Sequence, residues 1–199
     1  MSVKIVHAAD FHLDSAFGAL SAEQARQRRR ESRELLTRLC NYVNQNGVDL
    51  VLLAGDLFDS DTTYRETLEA LSEALGAMQA RVFIAPGNHD PYSAKSPYAT
   101  LAWPENVHVF TSKTVERVEL PELQCAVYGA AFTAPVHGLQ SVPHVGQGAA
   151  HDHGHGVFDI GFFHLRHQGP LHNVLVRVPQ LLRVVLWFFA HILFSLWGW

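Results

Sequence analysis

Apolar and polar positions alternate in blocks along the first half of the chain, and the blocks predict a β-α-β-α-β order. Short apolar runs that favour strands occupy 3–9, 48–54 and 81–85. Between them, apolar residues recur every three or four positions, which is the spacing of one helix face. Strands that alternate with helices in this way predict parallel pairing with right-handed crossovers, and therefore an α/β fold.

The two predicted helices have recognisable ends and apolar faces. Ser21 followed by Gln24 forms a capping box at the start of the first helix, and Asn46-Gly47 supplies a left-handed stop. The apolar face of the first helix consists of Leu36, Leu39, Cys40 and Val43. The apolar face of the second consists of Leu68, Leu71, Leu75 and Met78.

The pattern changes after residue 104. Close turns separate three short predicted strands, 107–111, 115–120 and 125–131, which favour a partly antiparallel arrangement. Residues 134–156 are rich in Gly, Pro and His and predict a long loop. The run 157–164 predicts a final strand that ends in His164.

Residue types that bind metals follow each of the first three strands. These segments are Asp10-Phe11-His12, Gly55-Asp56-Leu57-Phe58-Asp59 and Gly87-Asn88-His89-Asp90. Because the carboxyl ends of neighbouring parallel strands meet at one edge of a sheet, we expect these side chains to share one crevice. Carboxylate, amide and imidazole ligands together suit Mn²⁺, Fe²⁺ or Zn²⁺. The sequence therefore predicts a metal centre.

Composition and charge narrow the function only slightly. The 199 residues suffice for one domain, and the net charge of −4 does not by itself predict nucleic-acid binding. If the chain handles DNA, metal ions and a local basic face must supply the attraction. One face of the first helix carries Arg26, Arg29/Arg30 and Arg33, which fits either contact with a DNA backbone or a solvated face balanced by glutamates.

Cysteine usage and the N-terminus favour a reducing compartment. Cys40 and Cys125 form no motif and are expected to be reduced, packed side chains. Residues 1–7 lack the features of a signal peptide, so we expect a cytoplasmic protein.

The three ligand-rich segments resemble the first three signatures of the calcineurin-like metallophosphoesterases. The longer segments around two of them, HAADFHLDS (7–15) and AGDLFD (54–59), resemble the bacterial DNA-repair exonucleases of the SbcD type. This resemblance runs from residue 3 to about 164. It implies a β-sandwich core with parallel βαβ units flanked by helices, and metal-dependent phosphodiester hydrolysis as a DNA exonuclease or endonuclease in repair.

The resemblance also assigns ligands for two divalent metal ions, with Mn²⁺ expected. Asp10 and His12 would bind the first ion, Asp56 would bridge both, and Asn88 would bind the second. His164 matches a further histidine ligand of the second ion by its position at the end of the last strand.

Catalytic and partner roles follow from the same resemblance. His89 would stabilise the transition state and protonate the leaving oxygen, with Asp90 orienting it. The substrate would be DNA, and complete relatives work beside an SbcC-type coiled-coil ATPase, although their partner-binding parts lie C-terminal to the region matched here.

The end of the chain departs from the family pattern. A Gly-His-x-His motif that completes the metal shells in the family is absent after His164, and residues 160–199 contain no Asp or Glu. We therefore expect an incomplete nuclease domain over 1–164 and an atypical apolar tail over 165–199, with a rearranged gene end as one hypothesis. The stretch 181–199 fits a membrane-associated helix, a helix packed on the domain, or a non-native tail.

Two other functions remain open at this point. One keeps the enzyme class and changes the substrate to a nucleotide or another small phosphodiester. The other is a non-catalytic remnant with a membrane-associated tail, which the missing histidine motif favours.

Overall fold

The computed structural model describes residues 3–59 and 63–134, together with the backbones of three later strands. In chain order the elements are β1 (Lys4–Ala8), α1 (Ala22–Gln45), β2 (Leu50–Ala54), α2 (Arg65–Gly76), β3 (Arg81–Ala85), α3 (Pro97–Thr100), β4 (Val107–Val109), β5 (Glu116–Leu120), a 3-10 turn (Pro121–Leu123), β6 (Cys125–Gly129), β7 (Val157–Phe163), β8 (Asn173–Pro179) and β9 (Val185–Phe188). Every strand and helix predicted from the sequence over residues 3–131 is present, with its bounds shifted by a few residues.

The first sheet is parallel and contains five strands in the order β4-β3-β2-β1-β9. Its centre is β2, whose five residues are all buried, as expected for an apolar strand covered on both faces. The predicted β-α-β-α-β unit and its parallel pairing are confirmed. β4 belongs to this sheet as well, since it pairs in parallel with β3.

The second sheet is antiparallel, with the order β5-β6-β8-β7. An apolar cluster joins the two sheets and includes Ile5, Leu52 and Phe83 from the first and Leu120 and Val127 from the second. The predicted sandwich of two facing sheets is therefore confirmed, and the fold class is α/β.

The helices cover the other face of the first sheet. Side chains alternate along a strand, so Val6 and Val51 point away from the second sheet and pack with Leu36 of α1 and Leu71 of α2. The capping box at Ser21 forms as predicted. The free cysteines are both buried, also as predicted.

The last two strands, β8 and β9, lie beyond residue 164, where the predicted nuclease domain ends. Two of the three alternatives for 181–199 are helices, whereas the structure has a strand at Val185–Phe188 that pairs in parallel with β1. The physical reason is that the edge of β1 offers unpaired backbone groups, which an extended segment can satisfy and a helix cannot. Across the described part of the chain, no helix combines the length and apolar character needed to span a bilayer.

Candidate metal centre

Backbone hydrogen bonds hold the loops after β1 and β2 side by side beyond the ends of the strands. The Asp10 N–H donates to the Gly55 carbonyl over 3.2 Å, and the His12 N–H donates to the Asp56 carbonyl over 2.9 Å. These contacts continue the parallel pairing of β1 with β2. The predicted ligands on the two loops are thereby placed next to each other.

Three of these residues have a left-handed backbone, which is uncommon for residues other than glycine. The φ angles are 55° for Asp10, 44° for His12 and 51° for Asp56. Such conformations cost roughly 1–3 kcal/mol each and cluster at functional sites. The hydrogen bonds between the loops help to keep this strained backbone in place.

The carboxylate of Asp56 lies at the centre of the site. Asp56 is only 1% exposed, and its Oδ1 accepts a hydrogen bond from the backbone N–H of His89 over 3.1 Å. Its Oδ2 is buried and accepts no hydrogen bond from any described residue. A buried carboxylate oxygen in this position calls for a compensating cation.

His12 lies among carboxylates. Its Nδ1 is 3.0 Å from Asp59 Oδ1, and the other oxygen of Asp59 accepts the Ser15 hydroxyl over 3.0 Å. Its Nε2 is 3.6 Å from Asp10 Oδ1. A carboxylate on one ring nitrogen is the usual means of orienting the other towards a metal ion.

The charges around His12 raise its pKa above the ordinary value. The interaction of the ring with the Asp10 carboxylate is the main cause of the higher pKa. Burial of the ring lowers the pKa, and the negative charges of Asp56, Asp10 and Asp59 raise it further. The negative field that favours a proton on this ring favours a divalent cation more strongly, because the cation carries twice the charge.

The side chains form two overlapping groups whose ligand atoms all lie within 4.8 Å of one another. One group is Asp10, His12 and Asp56; the other is His12, Asp59 and His89. The rings of His12 and His89 meet edge to face, with centroids 5.2 Å apart. The donor set and the unsatisfied oxygen of Asp56 fit divalent metal ions with mixed O and N ligands.

Of the two other predicted ligands, the structure describes only Asn88. Asn88 is half-buried and lies on the same turn as His89, directly after Gly87. His164 lies outside the described residues, so its role as a ligand stays a prediction.

Asp90 ties the loops together. Its Oδ1 accepts the backbone N–H groups of Gly87 (2.7 Å) and Asp56 (3.2 Å), and its Oδ2 accepts the Phe58 N–H (3.0 Å) and the Tyr98 hydroxyl (2.5 Å). Burial raises the pKa of Asp90 to about 6, against the lowering effect of these hydrogen bonds. The predicted orientation of His89 by Asp90 stays a prediction.

Tyr98 is a part of this site that the sequence did not indicate. It lies on α3, is buried, and packs against Phe58 with ring centroids 5.4 Å apart. Its hydroxyl donates to Asp90, eight residues earlier in the chain. The segment between them is mostly irregular, so no periodic sequence pattern could indicate this contact.

We expect Tyr98→Phe to lower the free energy of unfolding by about 1–3 kcal/mol, because Asp90 loses a buried donor. Urea denaturation of the metal-free protein measures the change. Tyr128→Phe is the matched control, since the Tyr128 hydroxyl accepts from Arg117, whose side chain is 51% exposed and can bond to water instead. Equal losses in the two variants would contradict a special role for the Tyr98–Asp90 contact.

A carboxylate- and imidazole-rich centre at the carboxyl edge of a parallel sheet within a sandwich is the arrangement implied for metallophosphoesterases. The model of the calcineurin-like phosphoesterase family matches residues 3–193. The chain therefore belongs to the calcineurin-like phosphoesterase family. The match continues past residue 164 and includes most of the segment that composition sets apart.

Three bacterial proteins are among its relatives. The chain is 36% identical over 117 residues to the uncharacterized metallophosphoesterase YhaO of Bacillus subtilis, which covers 56% of this chain and 28% of the relative. It is 25% identical over 122 residues to the SbcD component of the nuclease SbcCD of B. subtilis, covering 59% and 30% of the two chains. The same component of the Staphylococcus epidermidis nuclease is 25% identical over 128 residues, covering 60% and 31%. The matched region thus spans less than a third of each relative.

Proposed function

We propose that this chain hydrolyses phosphodiester bonds of DNA with the help of divalent metal ions, as a nuclease in DNA repair. The observation that carries the proposal is the buried Asp56 carboxylate, whose Oδ2 lacks a hydrogen-bond partner among the described residues. Asp56 belongs to one of the two ligand groups, which overlap at His12. Similarity to the D subunits of two SbcCD nucleases supports a nucleic acid as the substrate. The resemblance of segments 7–15 and 54–59 to bacterial DNA-repair exonucleases favours DNA.

We propose different roles for the residues of the metal centre. Asp10, His12, Asp56 and Asn88 would hold the ions, with Mn²⁺ as the expected metal and His164 as a further proposed ligand. Divalent ions bound there would supply Lewis-acid stabilisation of phosphoryl charge and activation of water. Asp59 orients His12 for this role through the 3.0 Å contact with Nδ1.

His89 is proposed as the general acid. The sugar alkoxide that leaves DNA needs a proton at neutral pH, and the half-buried His89 adjoins the ligand groups. The alternative is that His89 binds metal together with His12 and Asp59, whose ligand atoms lie within 4.8 Å of its own. The two roles make different predictions for one substitution.

We expect His89→Gln to lower kcat on DNA by about 10²–10⁴-fold, the usual contribution of a general acid. Hydrolysis of bis(p-nitrophenyl) phosphate should fall much less, because p-nitrophenolate leaves without a proton. Mn²⁺ affinity, measured by electron paramagnetic resonance, should change little. Equal losses on both substrates together with weaker Mn²⁺ binding would identify His89 as a ligand and contradict the acid role.

The substrate class is tested with the unaltered chain. We expect Mn²⁺-dependent cleavage of end-labelled single-stranded or duplex DNA that stops on addition of EDTA. Turnover of bis(p-nitrophenyl) phosphate without DNA cleavage would point to the small-diester alternative. Well-folded protein that neither turns over substrate nor binds Mn²⁺ would point to the non-catalytic remnant.

We propose two further properties of this protein. One is partnership with an SbcC-type coiled-coil ATPase, and the other is a cytoplasmic location. Co-purification of the ATPase with a tagged chain, and fractionation of the cells that express it, would test them.

A further inference from the structure

The arginines of α1 differ in their partners. The helix carries six arginines and only three glutamates, an excess of three positive charges in a chain whose net charge is −4. Five of the six lie within 4.0 Å of a carboxylate, in the pairs Arg26–Glu23, Arg28–Glu31, Arg30–Glu34, Arg33–Asp14 and Arg38–Glu34. Arg29 alone has no carboxylate contact within the described part of the chain.

Arg29 instead lies against an aromatic ring. Its guanidinium carbon is 5.6 Å from the centroid of the Tyr64 ring. Tyr64 is 53% exposed, and it is the only aromatic residue among the large exposed hydrophobic side chains of the described residues. An exposed ring beside a cation that has no acidic partner among the described residues is a combination that suits single-stranded nucleic acids, because bases stack on the ring and phosphates pair with the cation.

Tyr64 is anchored to the loop that carries His12. The Tyr64 N–H donates to Asp14 Oδ2 over 2.9 Å, and the Thr67 hydroxyl donates to Asp14 Oδ1 over 2.8 Å. The Asp14 side chain is 3% exposed and lies 3.7 Å from Arg33. Because Asp14 is two residues from His12, the loop of the metal centre and the start of α2 share one buried anchor.

We propose that Arg29 and Tyr64 form a binding platform for an unpaired strand of the nucleic-acid substrate. The Tyr64 ring stacks on a base, and the Arg29 guanidinium contacts a phosphate. The excess positive charge of α1 provides the local attraction that the chain as a whole lacks. This inference rests on the proposed nuclease function, since it names where that substrate's strand lies beside the site.

The test is the binding of a fluorescent single-stranded oligonucleotide to the full chain, followed by anisotropy in EDTA so that no cleavage occurs. Tyr64→Leu keeps an apolar side chain without a stacking face and should raise Kd by about 5–100-fold, whereas Tyr64→Phe should leave it unchanged. Arg29→Ala should raise Kd and reduce the slope of log K against log salt by about 0.7. Arg30→Ala removes the same charge from an ion-paired neighbour and should have a smaller effect.

Two results would overturn the platform. One is an unchanged Kd in both Tyr64→Leu and Arg29→Ala, with thermal melts showing that the variants are folded. The other is a blunt duplex that binds as tightly as the single strand, with no effect of Tyr64→Leu on either. Strand binding that depends on both residues without any DNA cleavage by the unaltered chain would support the platform and contradict the nuclease function. DNA cleavage with an unchanged KM in both Tyr64→Leu and Arg29→Ala would support the nuclease function and contradict the platform.

Discussion

Asp56→Asn is expected to abolish metal-dependent phosphodiester hydrolysis and to weaken Mn²⁺ binding by at least about 100-fold, more than the loss typical of residues that only support a ligand. The amide keeps the shape of the side chain, and its oxygen can still accept the His89 N–H that Oδ1 accepts now. What disappears is the negative charge at the buried Oδ2, which has no hydrogen-bond donor among the described residues. The metal-free variant should therefore fold at least as stably as the parent chain.

Calorimetric titration with Mn²⁺ and hydrolysis of bis(p-nitrophenyl) phosphate measure the two effects. Asp49→Asn is the matched control, because Asp49 lies just before the opposite end of β2 and accepts the Lys4 N–H over 2.8 Å. It removes the same charge far from the centre and should leave Mn²⁺ affinity unchanged. Parent-like Mn²⁺ affinity in Asp56→Asn would mean that this carboxylate is not a ligand.

The position of the candidate metal centre could be predicted from the sequence because the sheet topology largely determines it. Once alternating strands and helices imply a parallel sheet, residues that follow β1, β2 and β3 must meet at one edge. Asp10, Asp56 and His89 are far apart along the chain, and the structure brings them together as expected. Local patterns also sufficed for the start of α1, since a capping box is written in two residues, Ser21 and Gln24.

Contacts between irregular segments could not be predicted in this way. Asp14 accepts a bond from Thr67 across 53 positions, and no periodic pattern relates a turn after β1 to the first turn of α2. The Tyr98–Asp90 contact was missed for the same reason. At 185–188, an apolar run fits a buried helix or a strand equally well, and only the edge of β1 decides between them.

Gly87→Ala is expected to damage both the fold and the site, because this glycine lies where two loops approach most closely. A Cβ at Gly87 would lie 2.1 Å from Asp56 Oδ1 and 2.5 Å from the Asp56 backbone nitrogen. Neither loop can retreat easily, since Asp90 Oδ1 accepts the backbone N–H groups of both residues. We expect a loss of about 1–3 kcal/mol or more in the free energy of unfolding, as for other overpacked sites.

The same substitution should remove Mn²⁺-dependent hydrolysis, because relief of the clash requires the Asp56 carboxylate or the Asn88–His89 turn to move. Gly18→Ala is the control: a Cβ there has no heavy atom within 4 Å, and both substitutions restrict the unfolded chain in the same way. Urea denaturation and bis(p-nitrophenyl) phosphate hydrolysis of the two variants therefore isolate the effect of the close approach. A Gly87→Ala protein as stable and as active as Gly18→Ala would mean that the loops after β2 and β3 are not in contact, and the metal centre built from them would have to be abandoned.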